Sequence, residues 1–380
     1  MSISSNMRIL AAALAISFGL YGQSVKAATV AVGPTTCQPT RTHYATIQAA
    51  VSAVPYGSTV LVCPGTYPEL VAITQPLTLK GVTDGTGNAA VIAVPLTGLT
   101  LNANAPVAFG GPVSAQLVVQ NTVGVEVSGI VIDGTGSGCV PGAIRQAGIV
   151  VFGVGASNDG TSAAKIDNVT VRNEHSCGVG EGIIADSSYL AIINNQIHDI
   201  DFTGIIVAGG TAKINSNNVQ TVGLNGISVN LTSNSVVTAN TVGSAGQSGF
   251  LVQEFNTGTT VSNNTVLASP TAYGIGVFDY ATNNTFTGNT ISDCFWGIWL
   301  SFASNITVQS NTFSQLGSDG VLDQDSLGGN IVTKNTVNEA AFGIFTDSTV
   351  SGDTLSPNTF YNTVVTVDPA PAVMGGPQNF

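Results

Sequence analysis

The sequence is poor in charge. Only 8 % of its 380 residues are charged, while 43 % are hydrophobic. Disordered chains combine high charge with few branched apolar residues, so this composition excludes a disordered protein. Basic residues are scarcest, with 9 Lys and Arg against 21 Asp and Glu. A net negative charge repels nucleic acid and anionic lipid, so neither is expected as a partner.

Long apolar runs are also scarce. One apolar run without charge extends over residues 9–20, directly behind Arg8. It is shorter than a membrane span, and small residues precede a cleavage point after Ala27. This order is typical of a secretory signal peptide. We therefore predict a signal peptide over residues 1–27, a secreted or periplasmic mature protein, and no membrane insertion.

Cysteine is present at only five positions. In an exported chain these indicate disulfides. Cys37 and Cys63 flank one compact segment, and we predict that they pair. Cys139 and Cys177 lie in Gly-rich loops and could form a second bridge. Cys294 is left over, and a buried small apolar role is favoured over a reactive thiol.

An internal repeat of about 23 residues is the strongest positive feature. A Gly followed by a bulky apolar residue marks each unit at Gly182, Gly204, Gly226, Gly249, Gly274, Gly297, Gly320 and Gly343. An Asn two residues before a branched or aromatic residue recurs in phase at Asn195, Asn217, Asn240, Asn264, Asn289, Asn311 and Asn335. We interpret both as structural, because a stacked Asn can bond local backbone and its copies above and below.

Each unit contains short strands, because apolar and polar residues alternate, as at 259–262. One unit cannot bury an apolar face alone, but stacked coils rising about 4.8 Å each can. We predict an all-β fold, a single-stranded right-handed parallel β-helix over residues 70–367. Residues 28–69 form an N-terminal cap with a short capping helix at 46–54, and residues 368–380 form a tail.

The cap residues resemble those of a known superfamily. The stretches at 44–51, 60–62 and 64–69 are similar to the opening of pectin-lyase-like right-handed parallel β-helix proteins. The resemblance extends over nearly all of the mature chain and implies the fold. The Gln-Asp-Thr-Leu, Gly-His-Gly and Tyr-Asp-Pro-His motifs of its esterases, polygalacturonases and epimerases are absent. The chain is most similar to the uncharacterised parallel β-helix repeat members of carbohydrate-binding or sugar-hydrolase type, which implies no particular reaction.

Acidic residues recur five positions after the repeat Gly. By the coil spacing, Glu254 and Asp279 should lie about 5 Å apart, and Asp279 and Asp325 about 10 Å apart. These separations bracket the carboxylate pairs of glycosidases, so the three acids are predicted to be catalytic. The predicted substrate-binding residues are the nearby Trp299, Trp296, Tyr280 and Phe302. The alternative is that the acids are solvated turn residues and the aromatics pack under a loop.

An enlarged coil carries a second candidate site with two of the three histidines. Its residues are Arg172, His175, His198, Asp199 and Asp201, and the same group includes Glu174, expected beside His175 on the enlarged loop, and Glu181. Arg172 and His198 should stack in adjacent coils. Histidine beside carboxylate is typical of an acid–base or metal site. The Asp pairs at 199/201 and 323/325 could each hold part of a Ca²⁺ shell, so calcium is possible although no cofactor is required. Solvated surface groups are the alternative.

The leading functional interpretation is an exported, monomeric, carbohydrate-active β-helix. It would bind or cleave a polysaccharide or oligosaccharide along its side and, if an enzyme, would be a hydrolase or lyase. One alternative is a non-catalytic surface or adhesive β-helix, which binding without turnover would favour. Another is a periplasmic ligand- or metal-handling β-helix that uses the second site, which retained metal would favour.

Overall fold

The computed structural model describes residues 26–83, 89–105, 111–155, 163–267, 269–347 and 352–368. These ranges contain one helix and 34 strands. Most of the predicted signal peptide and residues 369–380 of the predicted tail lie outside them. No helix in the described ranges is long and apolar enough to cross a membrane.

The strands form a right-handed parallel β-helix with three sheets along its length, which confirms the predicted fold. Sheet A contains β5 (Val71–Ile73), β9 (Gly111–Gln120), β12 (Arg145–Phe152), the first halves of β15 (Gly180–Ile193) and β17 (Ile205–Asn215), β19 (Asn225–Asn230), β22 (Ser248–Gln253), β25 (Ser269–Val277), β28 (Cys294–Leu300), β31 (Asp319–Asp323) and the end of β33 (Thr336–Thr346). Sheet B contains β1 (Thr29–Val32), β3 (Ser58–Val62), β6 (Leu77–Gly81), β10 (Val125–Ser128), β13 (Ala164–Asp167), the second halves of β15 and β17, β20 (Val236–Thr238), β23 (Thr260–Ser262), β26 (Thr285–Thr287), β29 (Thr307–Gln309) and β32 (Ile331–Thr333).

Sheet C contains β4 (Gly65–Pro68), β7 (Ala90–Ala93), β11 (Ile130–Asp133), β14 (Thr170–Glu174), β16 (Gln196–Ile200), β18 (Asn218–Val222), β21 (Thr241–Ala245), β24 (Thr265–Leu267), β27 (Thr290–Ser292), β30 (Thr312–Ser314) and the starts of β33 and β34 (Thr359–Asp368). The end of β34 pairs with the end of β33 and therefore belongs to sheet A. Two short strands lie at the margins, β2 (Thr42–Tyr44) beside β1 and β8 (Ala103–Ala105) antiparallel to β9. Parallel pairing thus begins at β1, on the N-terminal side of residue 70.

The apolar residue after each repeat Gly forms one interior column. Ile205, Ile227, Phe250 and Ile275 stand opposite one another in successive coils, and each is at most 1 % exposed. Their alignment confirms that equal phase in the repeat means neighbouring positions in adjacent coils. The residue after each of them points outward because side chains alternate along a strand.

The repeat glycines lie where sheets A and C approach most closely. A Cβ on Gly249 would lie 2.6 Å from both methyl groups of Val266 and 2.7 Å from the carbonyl oxygen of Gly274. The position therefore admits only hydrogen as a side chain. Glycine is required here because the two sheets pack too closely for any side chain, and no turn conformation is involved.

The phased asparagines form a continuous buried ladder. Asn217 Nδ2 donates to Ile192 O and to Asn240 Oδ1, both at 2.9 Å. Asn217 Oδ1 accepts from Asn195 N at 3.0 Å and from Asn195 Nδ2 at 2.9 Å. The same pattern continues through Asn264, Asn289, Asn311, Asn335 and Asn358. This arrangement confirms the structural interpretation of the Asn repeat, since every ladder amide is paired inside the coil.

A single helix, α1 (Ile47–Ala53), covers the N-terminal end of the core. Thr46 caps it by accepting from Ala49 N, and Glu69 accepts from the first two helical amides. Ile47, Ala50 and Val51 are buried beneath it, as expected for a capping helix.

Two disulfides are present in the described residues. Cys37 pairs with Cys63 as predicted, and Cys139 pairs with Cys177, the second bridge that the sequence left open. Cys294 is buried, as its apolar interpretation expects.

Asp323 places a carboxyl group inside the core. Asn330 joins it to Asp353, because Asn330 Nδ2 donates to Asp323 Oδ2 at 3.1 Å and Asn330 N donates to Asp353 Oδ1 at 2.8 Å. Burial, together with the neighbouring Asp353 carboxyl group, raises the pKa of Asp323 to about 8. Asp323 is therefore protonated at neutral pH.

Asp323→Asn is expected to stabilise the protein at alkaline pH. The folded protein keeps a proton that the unfolded chain releases near pH 4, so this group's contribution to stability falls as pH rises from about 4 to about 8. Asn has the shape of the protonated acid but does not titrate, so the variant lacks this dependence of stability on pH. The gain in unfolding free energy at pH 8 should be of the order of a few kcal/mol. Denaturant unfolding from pH 4 to 9 measures the free energy of unfolding of wild type and variant. The exposed Asp293→Asn substitution is the control. Parallel pH profiles of stability for wild type and Asp323→Asn would contradict the prediction.

Candidate functional site

An open groove of about 380 Å³ lies on the outer face of sheet A. We call it the site groove. Its lining residues are Gln247, Leu251, Gln253, Tyr273, Phe278, Asp279, Trp299, Ser301 and Phe302. Three of the predicted site residues, Asp279, Trp299 and Phe302, thus share one groove.

The groove opens where the outward residues of sheet A are no longer all large and apolar. In the earlier coils the outward column is apolar and covered: Val118, Val150, Ile184 and Ile206 are at most 5 % exposed. Farther along, the same column contains Gly276, which leaves space above the sheet. A Cβ at Gly276 would lie 2.7 Å from the Phe278 ring, so the missing side chain is what admits the neighbouring rings.

Trp299 is the centre of the aromatic wall. Its ring meets Tyr273 and Phe278 edge to face, with centroids 5.8 and 5.2 Å away. The ring centroid of Trp296 lies 5.3 Å from that of Trp299, although Trp296 does not line the groove. The predicted tryptophan pair is therefore one cluster. Tyr273, which the sequence reasoning missed, is held in it because its strand position pairs with that of Trp296.

A strip of exposed aromatic rings runs beside the groove. Phe255 and Tyr280 stack with centroids 5.4 Å apart and planes 11° apart, and Phe302 follows 6.4 Å from Tyr280. Their exposures are 66 %, 52 % and 46 %. We call these three residues the aromatic strip. Phe255 was missed, yet its place directly after Glu254 matches that of Tyr280 after Asp279.

The predicted acids occupy one turn position in successive coils. Glu254, Asp279, Phe302 and Asp325 all adopt left-handed backbone conformations, with φ between 50° and 57°. Phe255 N donates to Asp279 O at 2.9 Å, and Phe302 N donates to Asp325 O at 3.2 Å. Glu254 and Asp279 thus lie in adjacent coils, while the coil of Phe302 separates Asp279 from Asp325. Asp325 is exposed and does not line the groove.

Glu254 has an elevated pKa. Partial burial raises it most, the charge of Asp279 raises it further, and the charge of Arg145 opposes both. Glu254 therefore holds its proton more firmly than an isolated Glu would.

Arg145 and Glu181 form an ion pair on sheet A that the sequence reasoning did not single out as a pair. Arg145 also lies over the Phe202 ring, 5.3 Å from its centroid. Glu181 is completely buried, and burial raises its pKa to about 7 despite the guanidinium. The only sequence signal for this pair was the place of Glu181 directly before a repeat glycine.

The second candidate site is not assembled as one cluster. Arg172 stands opposite His198 as expected, but it pairs with Asp133 at 2.9 Å. His175 Nδ1 contacts Asp201 at 2.9 Å, and His198 Nδ1 contacts Asp199 at 2.7 Å.

The two Asp pairs considered for calcium are also divided. Asp199 and Asp201 hold different histidines, while Asp323 faces the core and Asp325 faces solvent. A left-handed residue at Asp199 changes the strand alternation between Asp199 and Asp201.

A wider groove of about 730 Å³ lies near Lys80, Glu126, Ser128 and Asp167. No aromatic ring is among the described residues that line it. By size alone this wider groove would be the better candidate for a binding site. Sugar recognition, however, uses apolar surfaces as well as polar groups. The site groove offers both.

Comparison with known families decides the membership of the chain. The profile described as periplasmic copper-binding protein (NosD) matches residues 113–315, more than half of the sequence. The chain belongs to the NosD family. A second profile, right handed beta helix region, matches residues 267–368 of this NosD-family protein. No curated protein sequence matches it.

Solved structures with the same fold include several carbohydrate-active proteins. The A-module of mannuronan C-5 epimerase AlgE4 from Azotobacter vinelandii is 16 % identical, with TM-score 0.63 over 87 % of this chain and 95 % of that one. GH136 lacto-N-biosidase from Eubacterium ramulus is 12 % identical, with TM-score 0.64 over 88 % and 67 %. DFA-IIIase from Arthrobacter chlorophenolicus A6, without its lid and in complex with GF2, is 19 % identical, with TM-score 0.57 over 91 % and 99 %. At these identities the likeness shows the fold alone.

The family description raises the question of copper, for which imidazole and soft sulfur ligands are suited. Both ring nitrogens of His43 contact backbone carbonyls, and His175 and His198 are bound to separate aspartates. Four cysteines form disulfides and Cys294 is buried. In the described ranges no three His, Cys, Asp or Glu side chains are grouped to hold a metal. The donors that the structure describes in this NosD-family chain therefore do not fit copper.

Proposed function

We propose that this protein is an exported β-helix that binds a polysaccharide or oligosaccharide in the site groove. The observation that carries the proposal is the aromatic strip, three exposed rings in successive coils beside a groove with a tryptophan wall. Sugar rings have apolar faces that pack on aromatic rings and hydroxyls that bond polar groups at the rim. A glycan lying along the helix axis would meet one ring of the strip per coil.

Each groove residue has a role in this proposal. Tyr280 and Phe302 stack sugar rings together with Phe255, while Trp299 forms the wall and Trp296 supports it. Gln247, Gln253 and Ser301 offer hydrogen bonds to hydroxyls.

For glycosidic cleavage, Glu254 would be the general acid, because its elevated pKa favours the protonated form. Asp279 would be the base or nucleophile in the adjacent coil. Asp325 would then contact the glycan beyond the ring of Phe302.

Export is supported by two independent features. The Cys37–Cys63 and Cys139–Cys177 bridges are typical of an oxidising compartment. The family description places its proteins in the periplasm. Recovery of the natural protein from the periplasm or medium, with its N-terminus near residue 28, tests this part.

The Phe255→Ala/Tyr280→Ala double variant should bind glycans at least tenfold more weakly, because two sugar platforms are lost. Both rings are exposed, so folding should be unaffected. Calorimetry against a panel of hexasaccharides measures affinity, with the equally exposed Tyr361→Ala as the control. Equal affinity of the double variant and wild type would refute the groove as the binding site.

Glu254→Gln should abolish turnover of any panel glycan that wild type cleaves, while affinity stays within a few-fold. Gln keeps the shape of the side chain but cannot donate the acid proton. Reducing-end release measures turnover, with Asp293→Asn as the control at another left-handed turn position. Full turnover by Glu254→Gln would exclude Glu254 as the acid.

A further inference from the structure

Basic residues are nearly absent from the face that carries the site groove. Among the described Lys and Arg residues, Arg145 alone lies in a strand of sheet A. Its guanidinium is paired with the buried carboxylate of Glu181. The remaining described basic residues lie in the cap, sheet B, sheet C or the turn between sheets B and C: Lys26, Arg41, Lys80, Lys165, Arg172, Lys213 and Lys334.

Carboxyl groups, in contrast, follow the rim of the groove. Asp279 lines it, and Glu254 lies in the coil before. Asp325 lies two coils after Asp279, where its backbone N–H donates to the carboxylate of Asp347 at 2.8 Å. Acids therefore line the same edge over several coils. Arg145 is the one described cation of sheet A, and although its charge reaches Glu254, it is paired with the buried Glu181. A ligand in the groove experiences a negative field.

The rings of the aromatic strip also favour a positively charged ligand, as the carboxyl groups do. Each ring carries negative charge density on its face and attracts a cation within about 6 Å of its centroid. Tyr280 directly follows Asp279, and Phe255 directly follows Glu254. An exposed aromatic ring thus directly follows an acidic residue in each of two adjacent coils. Hydroxyl groups gain little from this pairing, whereas an ammonium group gains from both partners.

From this juxtaposition we infer that the site groove selects glycans bearing protonated amino groups, the glucosamine class, over neutral glycans, and rejects uronic acids. The inference rests on the proposed glycan-binding function and deepens it. The sugar ring packs on the strip, and its ammonium group lies at the Glu254 and Asp279 carboxylates. A uronate would place a like charge at the same position, which opposes binding.

A matched series of hexamers tests the selectivity on the full mature protein. Three β-1,4-linked hexamers differ only at one ring position, which carries an amine (glucosamine), an acetamide (N-acetylglucosamine) or a hydroxyl (glucose). At a pH that lies above the pKa of ordinary carboxyl groups and below that of the sugar amine, and at low salt, the amine hexamer should bind about tenfold more tightly than either neutral hexamer. Added salt should remove most of this advantage, because both partners are near the surface. An oligogalacturonate of equal length should bind most weakly.

The Glu254→Gln/Asp279→Asn double variant shows whether these two acids cause the preference. It should bind all three hexamers with similar affinity, whatever the affinity itself. Asp293→Asn should retain the preference. Equal wild-type affinity for amine and neutral hexamers would overturn the inference and leave the proposed function intact. Absence of binding to every glycan would overturn both.

Discussion

Asn217→Ala is expected to lower the free energy of unfolding by about 4 kcal/mol. The side chain makes four buried hydrogen bonds, two through Nδ2 and two through Oδ1. Each is worth about 1 kcal/mol net, and more where the loss leaves a buried partner unpaired. The buried groups left behind belong to both neighbouring coils, so the damage extends in both directions along the stack. Denaturant unfolding followed by circular dichroism measures the loss.

The adjacent residue supplies the control for this prediction. Asn218 lies in the same strand, but its side chain points outward and bonds only the side chains of Gln196 and Gln220. Asn218→Ala should change the stability by less than about 1 kcal/mol. Similar losses from the two substitutions would contradict a structural ladder.

Trp299→Ala is expected to weaken glycan binding by roughly 30-fold, the usual effect of removing a central aromatic anchor. Trp299 lines the groove and also holds Tyr273 and Phe278 by edge contacts. Without it, the groove loses a wall and the support of two further rings. Calorimetric titration of wild type and variant with the same hexasaccharide measures the change.

Leu322 allows the structural effect of this substitution to be separated from the binding effect. It stands opposite Trp299 in the next coil and is buried, but it does not line the groove. Leu322→Ala should lower stability and keep the wild-type affinity. Equal affinity losses in the two variants would show that binding responds to general destabilisation of sheet A.

The regular coils could be predicted because certain positions of the coil accept only one residue type. Gly249 is fixed by the contact between sheets A and C, and Asn217 by four hydrogen bonds. These requirements recur in successive coils of the regular part, so they appear in the sequence as a period. The vertical neighbourhood of Glu254 and Asp279 followed from the same period.

Other features depend on local exceptions that leave no periodic trace. Asn173 adopts a left-handed conformation, which shifts the alternation and directs Glu174 into the core instead of toward the enlarged loop. Arg145 and Glu181 meet across adjacent coils in a region where the Asn repeat is missing. The groove itself depends on the room that Gly276 leaves for the Tyr273 and Phe278 rings and on the burial of the outward residues in the earlier coils of sheet A. Such three-dimensional relations cannot be obtained from spacing.

Tryptophan fluorescence offers the most direct measurement of the central claim. The chain has two tryptophans: Trp299 lines the groove, and Trp296 contacts Trp299. If the groove binds glycans, titration with the glucosamine hexamer will change the emission in a saturable way, with the same Kd as calorimetry. The change will be lost in the Phe255→Ala/Tyr280→Ala double variant. Calorimetric binding that leaves the emission of the wild-type protein unchanged would place the ligand elsewhere and contradict the account.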